Sequence, residues 1–132
     1  MAASPVLADS TFYIQMLRSG RDPLRSLALA AATRDVAICG VVRSEVARGI
    51  VRCDVLQRFQ AAWDVMIHVA TDNHLWEDVE GLAWRLDRAG TILPLTDLII
   101  ACCARRIDAV VLTFDHHFQQ IPKVRAVDRL DA

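Results

Sequence analysis

The sequence has 132 residues, which is enough for one hydrophobic core and too few for two. Its net charge of −1 lacks the basic excess typical of general nucleic-acid binders. Hydrophobic residues make up 54% of the chain, yet no apolar run reaches the roughly 18–20 residues needed to span a bilayer. The opening MAASPVLAD has no basic region of the secretory kind. We therefore expect a single cytoplasmic domain, residues 1–132, with no membrane association.

Strand and helix patterns alternate along the first half of the chain. In order these are strand Pro5–Ala8, helix Thr11–Arg18, helix Pro23–Ala32, strand Val36–Cys39, helix Val42–Arg52 and a helix that Asp54 caps. Asp9-Ser10 and Asp22-Pro23 are natural helix starts, since a side-chain oxygen there can accept from the first free N–H groups. Apolar residues at every fourth position, such as Val42 and Val46, indicate the buried face of a helix.

The second half continues this alternation. It contains strand Ile67–Ala70, a long helix opened by Thr71 or Asp72 and closed by Gly90, helix Asp97–Arg106 behind a Thr96 cap, strand Ala109–Thr113, and a last short strand Val124–Val127. Short apolar strands separated by helices favour a parallel sheet buried between helical layers. Ligands of such sheets bind beyond the carboxyl ends of the strands.

Three acidic side chains are expected near that edge. Asp9 and Asp115 come directly after apolar strands, and Asp97 begins an almost wholly apolar helix. Carboxylates held together beside a core repel one another unless a cation intervenes, and Mg²⁺ or Mn²⁺ prefers such oxygen ligands. The pattern therefore favours a site for a hard divalent cation.

Each acid also has an ordinary explanation. Asp9 could simply cap its helix, Asp97 could lie at the positive end of a helix dipole, and Asp115 could be a turn residue. Glu45 could pair with Arg48 one turn later. The joint arrangement of the acids, and no single one of them, carries the metal-site hypothesis.

Four segments of the sequence resemble the PIN-domain family. They are VLADSTFY, VVRSEVARG, PLTDLIIACCARR and VVLTFDHHFQQIPKV, and their order and spacing match from Val6 to about Val127. The last segment is the most specific, with Thr113 two residues before Asp115. Within the family, the sequence most resembles the VapC group of ribonuclease toxins.

The resemblance implies an α/β fold: a three-layer α/β/α sandwich with a short, mostly parallel sheet. It implies hydrolysis of RNA phosphodiester bonds with Mg²⁺ or Mn²⁺, and it implies a homodimer that binds a small cognate antitoxin. It assigns the metal ligands, or the groups that orient the attacking water, as Asp9, Glu45, Asp97 and Asp115, with Thr113 and Ser10 as supporting hydroxyls. The sequence departs from relatives that carry a further acid near the fourth one, because His116 and His117 follow Asp115. Two solvated turn histidines are the ordinary interpretation, and a histidine ligand is the alternative.

Other features suggest contacts with partners. Trp76 and Trp84 share a helical face that is offset from the apolar stripe, so they could line a dimer or antitoxin contact as well as pack under a neighbouring helix. Arginines on or after the Glu45 helix could hold RNA phosphates or could simply be solvated, and they are Arg43, Arg48 and Arg52. The four cysteines form no CxxC pair, which predicts reduced thiols and no zinc site.

Several other functions fit the sequence less well. A haloacid-dehalogenase-like phosphatase needs a second Asp where Thr11 stands, and a receiver domain needs adjacent acids and a lysine better placed than Lys123. No GxGxxG motif supports dinucleotide binding. A PIN-like protein that binds partners without catalysis remains the main alternative to a nuclease.

Overall fold

The computed structural model describes residues 3–130, and over that range it shows one five-stranded sheet with six α-helices around it. The strands are β1 (Val6–Ala8), β2 (Val36–Cys39), β3 (Ile67–Val69), β4 (Val110–Leu112) and β5 (Arg125–Val127). The helices are α1 (Ser10–Arg18), α2 (Pro23–Ala30), α3 (Gly40–Ala47), α4 (Cys53–Asp64), α5 (Asn73–Arg88) and α6 (Leu95–Arg106). A short 3₁₀ helix, His116–Gln120, links β4 to β5.

The sheet has the strand order β3-β2-β1-β4-β5, and every pair of neighbouring strands is parallel. All residues of β1 and β2 are buried, as expected for strands covered on both faces. The chain moves from β1 to β3 in one direction and returns to β4 on the other side of β1. Right-handed connections therefore place α1–α4 on one face and α5 and α6 on the other. The α/β/α expectation is confirmed, and the sheet is entirely parallel rather than mostly so.

The reversal of strand order at β1 creates the crevice in which ligands of such sheets bind. In the register of β1 and β4, Val6 pairs with Val110 and Ala8 with Leu112. The next residues along the two strands, Asp9 and Thr113, therefore face each other at the carboxyl edge of the sheet. This register positions the candidate site.

Most predicted element boundaries agree with the structure to within two residues, but the end of α3 does not, and two predicted N-caps are not the caps in the structure. Helix α3 ends at Ala47 instead of near Arg52, because the chain turns at Gly49, whose N–H bonds to the carbonyl of Val46. Helix α6 begins at Leu95 behind Pro94, so Thr96 lies inside the first turn and does not cap it. Helix α4 likewise begins one residue before Asp54, with Arg52 as its N-cap.

The core on one side of the sheet centres on an aromatic cluster. The rings of Tyr13, Phe59 and Trp63 are fully buried and pack edge-on or tilted against one another. The other two tryptophans lie on the outer face of α5, where Trp76 is 44% and Trp84 61% exposed. All four cysteines are reduced, and only Cys53 among them is exposed. In the part of the chain that the structure describes, no helix is long and apolar enough to cross a membrane.

Candidate metal centre

Asp9 lies at the carboxyl end of β1 and is only 1% exposed. It is the N-cap of α1, since its Oδ1 accepts from the Phe12 N–H at 3.0 Å. Burial raises the pKa of Asp9, hydrogen bonds oppose that shift, and the negative charge of Asp97 adds to it. Asp9 is therefore both a helix cap and a charged group close to another acid.

Two threonines hold the Asp9 carboxylate. The hydroxyl of Thr113, which follows β4, donates to Oδ2 at 2.6 Å, and the hydroxyl of Thr11 donates to Oδ1 at 2.8 Å. The backbone N–H of Phe114 donates in turn to the Thr11 oxygen at 3.1 Å. This threonine clamp, Thr11 with Thr113, joins the ends of β1 and β4 through Asp9. It fixes the orientation of the carboxylate.

Asp97 lies in the first turn of α6 and is 9% exposed. Burial raises its pKa, a hydrogen bond with His117 opposes the shift, and the negative charges of Asp115 and Glu45 raise it further. Asp97 therefore interacts electrostatically with each of the other three predicted acids. The ligand atoms of Asp97 and Asp115 lie within 4.8 Å of one another and of His117, whereas Asp9 and Glu45 lie outside that group and interact with Asp97 through their charge.

Asp115 and His117 lie at the start of the 3₁₀ helix. Asp115 accepts from the His117 N–H at 2.9 Å, and its own N–H donates to the Thr113 hydroxyl at 2.9 Å. The ring nitrogen Nδ1 of His117 is 2.8 Å from Oδ2 of Asp97 and 3.2 Å from Oδ1 of Asp115. The hydrogen bond to Asp97 raises the pKa of His117. The His117 side chain is 41% exposed, as expected for a turn histidine, but its ring also bonds to Asp97; His116 is exposed.

Glu45 projects from α3 and is half-buried. Its Oε1 accepts from the Ser10 hydroxyl at 2.8 Å, a contact across 35 residues of sequence. The structure thus connects Glu45 to the residue after Asp9 and gives it no ion pair with Arg48. Ser10 is buried, so its hydroxyl holds Glu45 from the protein side of the site.

Two of the three candidate arginines bind acids outside this cluster. Arg43 pairs with Asp64 at 3.1 Å and lies over the Trp63 ring, 5.2 Å from its centroid. Arg52 pairs with Asp54 at 2.6 Å. Arg48 is exposed. For Arg43 and Arg52, the structure supports surface ion pairing over a role beside Glu45.

Two residues of the site were missed by the assignments from sequence. Thr11 belongs to the clamp, and its only signal is a hydroxyl two residues after a strand-ending Asp. His117 was weighed as a ligand and set aside, although it lies two residues after Asp115, on the same short turn. Its ring contacts Asp97, 20 residues away in sequence, so local spacing could not reveal that contact.

A cavity of about 680 Å³ opens beside Asp115, which is the one of the four acids in its wall. Its walls include Thr113, Asp115 and His116, and its far side includes Gln15 and Arg129. Ordinary hydrophobic ligands prefer apolar walls, whereas this cavity is lined mainly by polar and charged groups. It is the space through which a polar molecule would reach Asp115.

The PIN domain family matches residues 6–124, and the chain belongs to this family. Its structural neighbours are VapC toxins of VapBC toxin–antitoxin systems. Among the curated proteins, none matches the sequence.

Three solved structures illustrate the likeness. The DNA-bound VapBC of Salmonella typhimurium has a TM-score of 0.75 and 18% identity over 95% of this chain and 98% of that one. A toxin–antitoxin complex of Klebsiella pneumoniae has a TM-score of 0.69 and 26% identity over 90% of this chain and 94% of that one. Mycobacterium tuberculosis VapC20, described as a sarcin–ricin loop cleaving toxin, has a TM-score of 0.56 and 16% identity over 91% of this chain and 98% of that one. The chain therefore has the fold of a VapC toxin together with a cluster of acids at its carboxyl edge.

Proposed function

We propose that this protein is a metal-dependent endoribonuclease, the toxin of a type II toxin–antitoxin pair, that hydrolyses RNA phosphodiester bonds. One observation carries the proposal. Asp97 and Asp115 lie together with His117 beyond the carboxyl edge of the sheet, Asp9 and Glu45 interact with Asp97 through their charge, and burial and this repulsion raise the pKa of Asp9 and Asp97. A protein rarely keeps such a costly cluster without a functional reason.

The donor set fits Mg²⁺ or Mn²⁺. Both ions prefer carboxylate oxygen, and positive charge between the acids would relieve their repulsion. Oxygen and nitrogen atoms of Asp97, Asp115 and His117 already lie within 4.8 Å of one another. When bound, the ion would supply positive charge to the phosphoryl group and make a water molecule more acidic.

The side chains have distinct roles in this proposal. Asp97 and Asp115 would hold the ion. Three protein donors already bond to the Asp9 carboxylate, so Asp9 would bind the ion through its one remaining acceptor direction. Glu45, held by Ser10, would accept a proton from the attacking water. Thr113 would keep Asp9 in place. The polar cavity beside Asp115 would admit a single-stranded or looped RNA.

The test is cleavage of a mixed RNA substrate by the purified protein in Mn²⁺ or Mg²⁺. We expect cleavage that stops in excess EDTA. Asp9→Asn and Asp97→Asn should each lower the rate by orders of magnitude, because an amide is a weak ligand for a hard cation and cannot balance its charge. Asp87→Asn, on the exposed side of α5, is the matched control and should retain the wild-type rate. Cleavage that persists in chelator would rule out the metal mechanism.

Partner binding is the second part of the proposal. The exposed Trp76 and Trp84 on α5 offer apolar surface for another protein, with the Arg88 guanidinium 5.3 Å above the Trp84 ring. We propose a homodimer that also binds a small antitoxin, whose basic side chain would compete with the ion for the acids. Light scattering of the purified protein at micromolar concentration should give the mass of a dimer. A monomer at that concentration would contradict it.

A PIN-like protein that binds partners without catalysis is the remaining alternative. The hydroxyl bonds that orient the buried Asp9 and the half-buried Glu45 argue against it, because binding alone needs no such orientation of carboxylates. A metal titration separates the two functions, since a purely partner-binding protein should show no specific response to Mn²⁺.

A further inference from the structure

His117 occupies a position that the acids alone do not explain. Its Nδ1 atom points to the gap between Asp97 and Asp115, and the ligand atoms of all three side chains lie within 4.8 Å of one another. We propose that Nδ1 of His117 is a direct ligand of the divalent ion, so that the centre has mixed oxygen and nitrogen donors and favours Mn²⁺, Co²⁺ or Zn²⁺ over Mg²⁺. This inference rests on the metal site of the proposed function and goes beyond it in naming the donor and the preference.

The distances fit shared coordination. Neighbouring ligands of an octahedral ion with bonds of about 2.1 Å lie about 3 Å apart. The separations of Nδ1 from the two carboxylate oxygens are 2.8 and 3.2 Å. One centre can therefore be reached by all three side chains, with the ion taking the place of the proton that Nδ1 shares with Asp97 and that proton released to water.

The turn around His117 holds the ring in this place. The His117 N–H donates to Asp115, and the Asp115 N–H donates to Thr113, which is itself bonded to Asp9. Phe118, the next residue, is fully buried and anchors the 3₁₀ helix to the core. The ring is therefore positioned by the same network that orients the acids.

The chemistry of the donor predicts the selectivity. A neutral imidazole is a good ligand for Mn²⁺, Co²⁺ and Zn²⁺, whereas Mg²⁺ binds oxygen almost alone. Affinity for a given nitrogen-containing site also rises from Mn²⁺ to Co²⁺. Removal of the imidazole should therefore weaken Mn²⁺, Co²⁺ and Zn²⁺ binding much more than Mg²⁺ binding.

The experiment uses the whole chain freed of metal, loaded with Mn²⁺ and studied by pulsed electron paramagnetic resonance, which detects nitrogen bonded to manganese. The variants are His117→Gln and, as the matched control, His116→Gln, which alters the exposed neighbour. We expect nitrogen coupling in the wild type and in His116→Gln, and its loss in His117→Gln. Titrations should show about a tenfold or greater loss of Mn²⁺ and Zn²⁺ affinity in His117→Gln, with Mg²⁺ affinity changed less than about twofold. Circular dichroism should show that all three proteins are folded.

The outcomes separate this inference from the proposed function. Mn²⁺ bound to the wild type without nitrogen coupling would overturn the inference and leave an all-oxygen centre intact. Nitrogen coupling that survives in His117→Gln would also overturn it. A tenfold loss of affinity alone does not establish ligation, because a residue that only orients Asp97 could cause the same loss. A wild type that binds no divalent ion would overturn the metal mechanism of the proposed function as well.

Discussion

The two ends of the sheet have opposite chemistry. At the carboxyl edge, buried acids repel one another and are held by hydroxyl groups. At the amino edge, α2, α4 and the starts of β2 and β3 line an apolar groove of about 370 Å³, whose walls include Leu24, Leu27, Val65, Met66 and Ile67. The buried Leu24 and Leu27 stabilise the fold at the amino edge, whereas the repulsion between Asp9 and Asp97 opposes folding at the carboxyl edge. Substitutions at the amino edge should lower stability, whereas neutralising an acid at the carboxyl edge should weaken metal binding without lowering the stability of the metal-free protein.

The largest expected effect is at the amino edge. Leu27 is 1% exposed, so Leu27→Ala removes fully buried methyl groups and should lower the free energy of unfolding by about 2–5 kcal/mol. Leu29 lies on the same helix but is 70% exposed, and Leu29→Ala should change the free energy of unfolding by less than about 0.5 kcal/mol. Urea denaturation measures both. Equal costs for the two variants would mean that the amino edge does not stabilise the fold in this way.

The next largest expected effect is stabilisation of the folded protein by metal bound at the carboxyl edge. A ligand that binds only the folded protein stabilises it by about 2.7 kcal/mol at a hundredfold excess over its dissociation constant. Mn²⁺ at that excess should therefore raise the melting temperature of the wild type by roughly 10 °C. Asp97→Asn should show a much smaller rise, and the control Asp87→Asn a normal one. An equal rise in Asp97→Asn would exclude Asp97 from the metal site.

A smaller effect concerns Asp22, the N-cap of the helix that forms one wall of the apolar groove. Its Oδ1 accepts from the Leu24 N–H, and its other oxygen pairs with Arg58 of α4. Asp22→Ala should cost about 1 kcal/mol for the lost cap, with little more for the partly exposed ion pair. Asp22→Asn keeps the cap without the charge, so its cost should be only a few tenths of that value.

The Asp22 effect should depend on pH in one direction. The hydrogen bond from Arg58 lowers the pKa of Asp22 in the folded protein below its usual value of about 3.9. The stabilisation that this shift gives is therefore complete above about pH 4 and is lost as pH falls through the folded value. Thermal melts should show the gap between the wild type and Asp22→Asn narrowing at acid pH. A gap that widens below pH 4 would contradict this assignment.

The smallest expected change in stability is that of Asp97→Asn in the metal-free protein, and it shows whether Asp97 is an active-site acid or only a helix-end charge. In the metal-free protein, Asp97→Asn removes a repelling charge and should leave stability unchanged or slightly higher, even as activity is lost. If Asp97 were only a helix-end charge, its replacement would cost roughly 0.3–1 kcal/mol. Melts in EDTA decide between the two. A destabilised variant would mean that the cap explanation is the correct one.

The sequence predicted the sheet better than the ends of its helices. Runs such as Val36–Cys39 are strands in the structure because their apolar residues can be buried on both faces. The end of α3 was wrong because the spacing of Val46 and Ile50 continued the helical pattern past Gly49, where the chain turns. Periodicity reports which residues are apolar, but it does not report that the last turn tightens, with the Gly49 N–H bonded to the Val46 carbonyl and the Ile50 N–H to the Ala47 carbonyl.

In the candidate site, too, some features could be predicted from the sequence and others could not. The positions of Asp9 and Asp115 could be predicted because each follows a strand, and parallel strands end at the same edge. The partner of Glu45 could not, because the nearest choice in sequence was Arg48, whereas Ser10 is brought close only by packing of α1 on α3. The orientation of the His117 ring depends on Asp97 in the same way.

The threonine clamp also bears on the order of events during synthesis. Asp9 and Thr113, which it joins, are 104 residues apart in sequence. At roughly 5–20 residues per second, a ribosome needs on the order of 5–20 s to add that length of chain. Throughout that time Asp9 lacks the hydroxyl of Thr113, the residue after β4, and Asp97 of α6 is itself added only shortly before Thr113. The hydrogen-bond network around Asp9 is therefore completed only late in translation, when the residue after β4 has been added.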